Sequence, residues 1–355
     1  LEKMEKVELD EKGTRYFFQK VKMYSKQGEI DALMEEEDSE IEEEIKNDET
    51  DDIDEMKEIA RKFYERLWRK RGVKAEQVEE AVKKIKRKLT DKEKESCEGE
   101  IKAEEIAKIK KKMASEKAAG VDGIPVEFWK KYDFLDEWLA TVFNEAIREG
   151  KMTMTMRMAV VKLIFKKKDA RKMSNYRPIS VLCSDYKMMA KIVAERMKKV
   201  LTSVIDNDQQ GFIKDGDITG NLILVKEIIE FCNESGGAGA VLMMDFKKAY
   251  DRVSRETMVR VLKEMNFGEG LLRIVETMYN EVGARIEVNG QLTEELQTGG
   301  GVRQGCPLSP YLFICVLEIM AISVRENEKI EGIVEPESGK EFKISLFADD
   351  AAIML

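Results

Sequence analysis

The sequence predicts an α+β fold, with helices dominating its first half and a strand-built chemical centre towards its end. Three observations carry that prediction. Apolar residues recur at helical spacing, as in Met56, Ile59, Phe63 and Leu67, and again in Met189, Ile192, Val193 and Met197. Short apolar runs of strand type stand at Val160–Phe165, at Val241–Met244 and from Ile344 to Leu355. The last two carry acids at their end or middle, Asp245 in one and Asp349-Asp350 in the other. A charge buried there is costly without a counter-ion.

The elements follow in chain order. Lys12-Gly13-Thr14-Arg15-Tyr16-Phe17-Phe18-Gln19-Lys20, with Lys22, interleaves basic and aromatic residues. Such a mixture binds phosphate and stacks on bases, or packs as an amphipathic helix on its own domain. From Glu29 to about Glu58 acids dominate, in blocks such as Glu35-Glu36-Glu37-Asp38, and a solvated connector is expected. The helix through Met56 and Leu67 should end at Gly72, with Arg69-Lys70-Arg71 in reach of phosphate. Val73 to Glu98 is Lys/Glu-rich and helical, and Ile106, Ile109 and Met113 mark a further helix. A tight loop at Gly120-Val121-Asp122-Gly123 precedes a helix-rich stretch from Phe128 to Arg148. The Val160–Phe165 strand leads into the basic run Lys166–Lys172, which by itself is only a solvated turn. Tyr186 to Leu201 is a core helix, and Gly236-Gly237-Ala238-Gly239 breaks the chain ahead of the Asp245 strand. Asn289-Gly290 marks a hairpin tip. Gly299-Gly300-Gly301 lets backbone approach a ligand closely, and Pro307 with Pro310 opens a helix through Leu317 and Met320.

Composition narrows the chemistry. A chain of 355 residues, 43% hydrophobic, can bury a core and has room for two or three domains. No apolar run reaches the roughly 18 residues of a membrane span, and the charged opening Leu1-Glu2-Lys3-Met4-Glu5-Lys6 is not a signal peptide. Five cysteines without a C-x-x-C pair indicate free thiols in a reducing compartment rather than a zinc site or disulfides. The absence of histidine excludes Ser-His-Asp triads, Cys-His nucleophiles and H-E-x-x-H metal sites. Chemistry must therefore rest on carboxylates, Lys, Arg and metal. The net charge of −9 opposes phosphate binding until it is localised. Residues 1–60 hold 9 Lys/Arg against 22 Asp/Glu, and the remainder, with 52 against 48, is mildly basic.

Taken singly, Asp349-Asp350 is a hairpin turn signal and Asp245 a helix N-cap. Taken together they say more. Strands from distant parts of a chain can pair and gather three carboxylates, whose repulsion requires divalent metal between them. Hard oxygen ligands of this kind suit Mg²⁺.

Phe347-Ala348-Asp349-Asp350, Asp245-Phe246-Lys247-Lys248-Ala249-Tyr250-Asp251 and Gly301-Val302-Arg303-Gln304-Gly305-Cys306-Pro307-Leu308-Ser309-Pro310 resemble, in letters, order and spacing, three motifs of reverse transcriptases of non-LTR (LINE-like) retrotransposons. The resemblance implies a right-hand polymerase with helical fingers (99–235) and a palm of antiparallel sheet (236–355). A helical N-terminal extension (1–98) containing the acidic connector (29–58) would precede them. The chain opens without Met and stops inside an apparent strand, so a longer polyprotein is expected, with its endonuclease before Leu1 and its thumb beyond Leu355. By resemblance, Asp245, Asp349 and Asp350 are the catalytic and metal-binding acids, for two Mg²⁺ ions roughly 3.5–4 Å apart, with Mn²⁺ a possible substitute. Asn175-Tyr176-Arg177-Pro178-Ile179-Ser180 is similar to the second fingers motif. This implies Lys166 and Arg177 on the nucleotide triphosphate, with Lys167 and Arg171 as substitutes. Tyr250 is implied to lie against the sugar and reject a 2′-hydroxyl, or else to be a core residue at a helix start. Asp251 is expected as a cap or salt-bridge partner, and Gln304 with Gly305 to position template base and nucleotide. Two departures stand out. Ala119 and Val121 replace the prolines of the Gly-Asp-Gly loop, and Gly216, after Asp208-Gln209-Gln210-Gly211-Phe212, stands where Arg is usual. The implied function is RNA-templated DNA synthesis from dNTPs on a DNA primer or nicked target DNA, in cytoplasm and nucleus. A catalytically silent RNA-binding protein or a maturase-like splicing factor are the alternatives.

Overall fold

Two β-sheets organise the computed structural model, which describes residues 29–36, 49–214, 216–235, 239–334, 339 and 341–355. The basic-aromatic stretch around Tyr16 lies outside the described residues. The acidic segment does not run free at either of its described ends, contrary to the expected connector. Its strands β1 (Leu33–Met34) and β2 (Glu49–Thr50) pair antiparallel, and Leu33 is fully buried. Glu36 accepts the Ser174 N–H (2.7 Å), and Glu49 pairs with Arg171 at 3.0 Å. The acids thus find donors on the basic turn at 166–175.

Helix α1 (Ile53–Leu67) starts at Asp52, whose carboxylate accepts the N–H groups of Asp54 and Glu55. It buries Met56, Ala60, Tyr64 and Leu67. It stops at Trp68 rather than at Gly72, because the Trp68 carbonyl accepts the N–H groups of Gly299 and Gly300 (2.8 Å each). Short helices α2 (Ala75–Lys83), α3 (Asp91–Cys97), α4 (Ala103–Lys112), α5 (Val126–Lys131), α6 (Leu135–Glu149) and α7 (Met154–Arg157) follow. A reciprocal Thr90–Glu93 capping box opens α3, and left-handed Gly150 (φ 71°) closes α6.

Strand β3 (Met158–Phe165) and strand β4 (Tyr176–Val181) form an antiparallel hairpin in which Phe165 faces Tyr176. The core helix α8 (Ser184–Lys198), α9 (Leu201–Val204) and α10 (Ile218–Ser235) lead to β5 (Val241–Asp245). Next come α11 (Arg255–Glu264), α12 (Glu269–Tyr279), β6 (Gly283–Val288), β7 (Gln291–Leu292) and β8 (Leu296–Gln297). The β6–β7 turn has Asn289 and Gly290 both at positive φ (48° and 80°), the geometry that Asn-Gly favours. Helix α13 (Ser309–Arg325) is buried on several sides, against α8, α11 and the final strands. Strands β9 (Ile333–Val334), β10 (Glu341–Phe342), β11 (Ile344–Phe347) and β12 (Asp350–Met354) end the chain.

Besides the two-stranded pairs β1-β2 and β10-β9, one of the two larger sheets is antiparallel throughout, in the order β11-β12-β5. The other runs β4-β3-β6-β7, with β8 also on β6, and its β3–β6 pairing is parallel. That pairing joins residues 158–162 to 283–287 in one sheet. Among the described residues no helix is long and apolar enough to cross a membrane.

Candidate active site

Period-two alternation and strand register decide which acids meet. In the β12–β5 ladder Asp350 lies directly opposite Asp245, and Asp349 occupies the turn between β11 and β12. The turn is tight because Ala348 takes a left-handed conformation (φ 54°). Desolvation raises the Asp349 carboxyl above its ordinary range, and the Asp245 charge adds to that, against Arg177 and Lys166. Asp350 is raised by partial desolvation first and then by the charges of Asp349 and Asp245. Three hard oxygen donors that repel one another at one sheet end suit a divalent cation such as Mg²⁺.

Two cations face these acids. Lys166 follows β3, and Arg177 sits on β4 opposite Ile164. Partial desolvation lowers the Lys166 pKa although the residue is exposed, helped by Arg177 and opposed by the charges of Asp245, Asp349 and Asp251. The hairpin therefore points its basic end at the carboxylates of the other sheet. Arg171, by contrast, is engaged with Asp169 and Glu49. Lys167 is simply exposed in the turn.

Tyr250 opens a short 3₁₀ turn (Tyr250–Arg252). Its ring stacks on Phe313 of α13, with centroids 4.6 Å apart and planes 15° apart, and its carbonyl accepts the Val302 N–H (2.9 Å). Asp251 sits inside that turn rather than capping it, and among the described residues it forms no salt bridge. It is 2% exposed and accepts the indole N–H of Trp68 at 2.8 Å and the side-chain amide of Gln304 at 2.9 Å. Burial pushes its pKa up to about 6, against the two hydrogen bonds and the Lys248 charge.

The Gly-rich loop is held from all sides. The Gln304 carbonyl accepts the Ser180 N–H (2.8 Å), and Gly305 (φ 104°) leaves no room for a side chain, since a Cβ there would sit 2.7 Å from the Ser180 carbonyl oxygen. Arg303 is buried, donates to the carbonyls of Met156 and Arg157, and lies over the Tyr186 ring. Beside Asp251 a cavity of about 470 Å³ is lined by Arg69, Lys70, Arg71, Arg252 and the Gly299-Gly300 backbone.

Sequence reasoning missed Lys248. It has positive φ (56°), donates to the Tyr176 carbonyl and has its pKa lowered to about 8 by burial. Its place in the Asp245–Asp251 motif was the available signal. A different group, Asp122, Cys183 and Asp185, has ligand atoms that all lie within 4.8 Å of one another, closer mutual proximity than Asp245, Asp349 and Asp350 reach. It sits at the N-terminus of α8, beside Lys187, and both features disfavour a cation, so we assign no ion to it. Gly216 fits a cramped turn, where a Cβ would lie 2.1 Å from the Gln210 carbonyl oxygen.

Compared with known proteins, residues 165–355 match the family described as Reverse transcriptase (RNA-dependent DNA polymerase). Over 345 residues the chain is 30% identical to the Transposon TX1 uncharacterized 149 kDa protein of Xenopus laevis, covering 97% of this chain and 26% of that protein. Over 193 residues it is 28% identical to the Retrovirus-related Pol polyprotein from type-1 retrotransposable element R2 of Popillia japonica, covering 54% of this chain and 26% of that protein. Over 219 residues it is 25% identical to the Probable RNA-directed DNA polymerase from transposon BS of Drosophila melanogaster, covering 60% and 24%. The chain spans about a quarter of the length of these curated relatives.

Proposed function

The chain belongs to the reverse transcriptase (RNA-dependent DNA polymerase) family, in its non-LTR retrotransposon branch, and from that premise we propose that it copies an RNA template into DNA from a primer 3′-hydroxyl. The observation that carries the reading to named residues is the register of β12 on β5, with Asp350 opposite Asp245 and Asp349 in the adjoining turn. Lys166 and Arg177 face that end of the sheet from the other hairpin.

In this reading Asp245 and Asp349 hold the catalytic divalent cations and Asp350 assists. Such cations, when bound, lower the pKa of the attacking hydroxyl and neutralise the leaving pyrophosphate. The chain's own residues do the positioning. Lys166 supplies a point charge and Arg177 a planar fork for the incoming triphosphate. Tyr250, its ring fixed against Phe313, forms the wall that excludes a 2′-hydroxyl. Gln304, held by Asp251, and Gly305 orient the nucleotide and template base. Residues 99–235 act as fingers and 236–355 as palm. RNA template, DNA primer or nicked target DNA, and dNTPs are the proposed partners.

The test is extension of a labelled DNA primer on an RNA template with Mg²⁺ and dNTPs. Asp349→Asn should lower extension by about 100-fold or more, since it removes charge stabilisation made in the transition state. Equal extension by both chains would refute the assignment of Asp349. Extension by neither would refute activity of this chain.

A further inference from the structure

Gln209 belongs to the Asp208–Phe212 segment, to which the polymerase reading gives no task. It lies 139 residues from Ala348 in sequence, is 2% exposed, and devotes its side-chain amide to backbone. Its Oε1 accepts the N–H groups of Ala348 (3.0 Å) and Gly211 (2.7 Å), and its Nε2 donates to the Ala348 carbonyl (3.3 Å). The surrounding backbone is held too. Leu346 N–H donates to the Asp208 carbonyl (2.7 Å) and Gln210 N–H to the Leu346 carbonyl (2.9 Å), so the segment runs parallel beside β11. Asp208 anchors it to α13 through Arg325 at 2.5 Å. Gly211 permits the approach, since a Cβ there would lie 2.1 Å from the Ala348 nitrogen.

Ala348 needs such a partner. It is 1% exposed and left-handed, a conformation that strains an L-residue. Its N–H and C=O would be buried and unpaired without the amide. Only an amide of this length offers an acceptor for one and a donor for the other. Glutamate lacks the donor, leucine both, and asparagine is one methylene short.

We propose that Gln209 is a positioning residue for the catalytic turn. By holding Ala348 left-handed it sets where Asp349 and Asp350 stand relative to Asp245, and so the affinity of that site for divalent cations. The proposal rests on the polymerase reading for its consequence, while the clamp itself is measurable without activity.

The experiment compares the full chain with Gln209→Leu by hydrogen exchange in a peptide spanning residues 344–355, and by Mn²⁺ titration followed by electron paramagnetic resonance. In the variant the Ala348 amide should exchange about tenfold faster or more, while the β3–β4 hairpin keeps its protection. Mn²⁺ affinity should fall about tenfold at unchanged protection elsewhere, the scale of losing a group that orients metal ligands. Adding Ala348→Gly, which accepts positive φ unaided, should restore part of that affinity. Unchanged exchange at Ala348, or unchanged Mn²⁺ affinity with faster exchange, would overturn the proposal. If wild type binds no Mn²⁺, the metal-site reading fails, and the positioning claim with it, whatever the exchange data show of the clamp. Should Gln209→Leu not fold, Gln209→Met carries the same measurements, because it keeps the side chain's length and loses both the amide donor and the amide acceptor.

Discussion

At the scale of single residues, Asp251 shows burial outweighing hydrogen bonds in setting when a carboxyl ionises. Its carboxylate is buried between the Trp68 indole and the Gln304 amide, and its pKa is raised to about 6. The unfolded chain releases this proton nearer pH 4. Between about pH 4 and 6 the folded state therefore binds more protons than the unfolded one, and this group makes stability fall as pH rises. Above pH 6 the loss is complete and of order 2–3 kcal/mol. The Trp68 indole N–H resonance should titrate with a midpoint near 6 in the wild-type chain and not in Asp251→Asn. The difference in unfolding free energy between the two chains should change over the same window. A flat Trp68 signal from pH 4 to 8 would refute this account. The sequence supplied Asp251 and Gln304 as members of separate motifs 53 residues apart. It held no sign that they touch, because a side-chain hydrogen bond at that separation leaves no periodic trace.

At the scale of elements, the loop at 298–305 depends on a cation whose hydrogen bonds, among the described residues, go to carbonyls and a hydroxyl. Arg255, the first residue of α11, donates to the carbonyls of Gly301 (3.1 Å), Tyr279 (3.3 Å), Gly300 (3.0 Å) and Thr298, and to the Thr298 hydroxyl (2.9 Å). Burial lowers its pKa to about 10, and the guanidinium lies 5.0 Å over the Tyr279 ring. Arg255→Met keeps the stem's packing and strands several buried acceptors. It should cost about 2–4 kcal/mol, measured by chemical denaturation. A loss below 0.5 kcal/mol, the scale of an ordinary surface substitution, would show that water replaces the clamp. Helices and strands themselves were largely legible: the Val160–Phe165 strand, the Asn289-Gly290 hairpin and the helix opened by Pro310 all occur. The exceptions are instructive. Helix α1 ends before Gly72 because Trp68 is claimed by the Gly299-Gly300 backbone, and the acidic segment pairs as β1–β2 because Arg171 and Ser174 meet its charges.

At the scale of the whole molecule, the N-terminal helix is part of the core. Met56, Tyr64, Leu67 and Trp68 are buried, and each contributes about 1.5–3 kcal/mol. Their sum rivals the 5–15 kcal/mol net stability of a domain. A chain beginning at Lys74 should therefore lose cooperative unfolding and near-ultraviolet dichroism, and retention of both would contradict the packing described. The sequence by itself determined the α+β class, the family through three ordered motifs, and the restriction to carboxylate, Lys, Arg and metal chemistry in a chain without histidine. Each of these is written in local pattern or composition. Only the tertiary structure decided that Asp350 stands opposite Asp245, that Gln209 holds Ala348, that Trp68 and Gln304 share Asp251, and that β3 runs parallel to β6. The physical reason is one of range. Propensity and periodicity act over a few residues, whereas these contacts join positions 53 to 183 residues apart. They are chosen by packing of the assembled core.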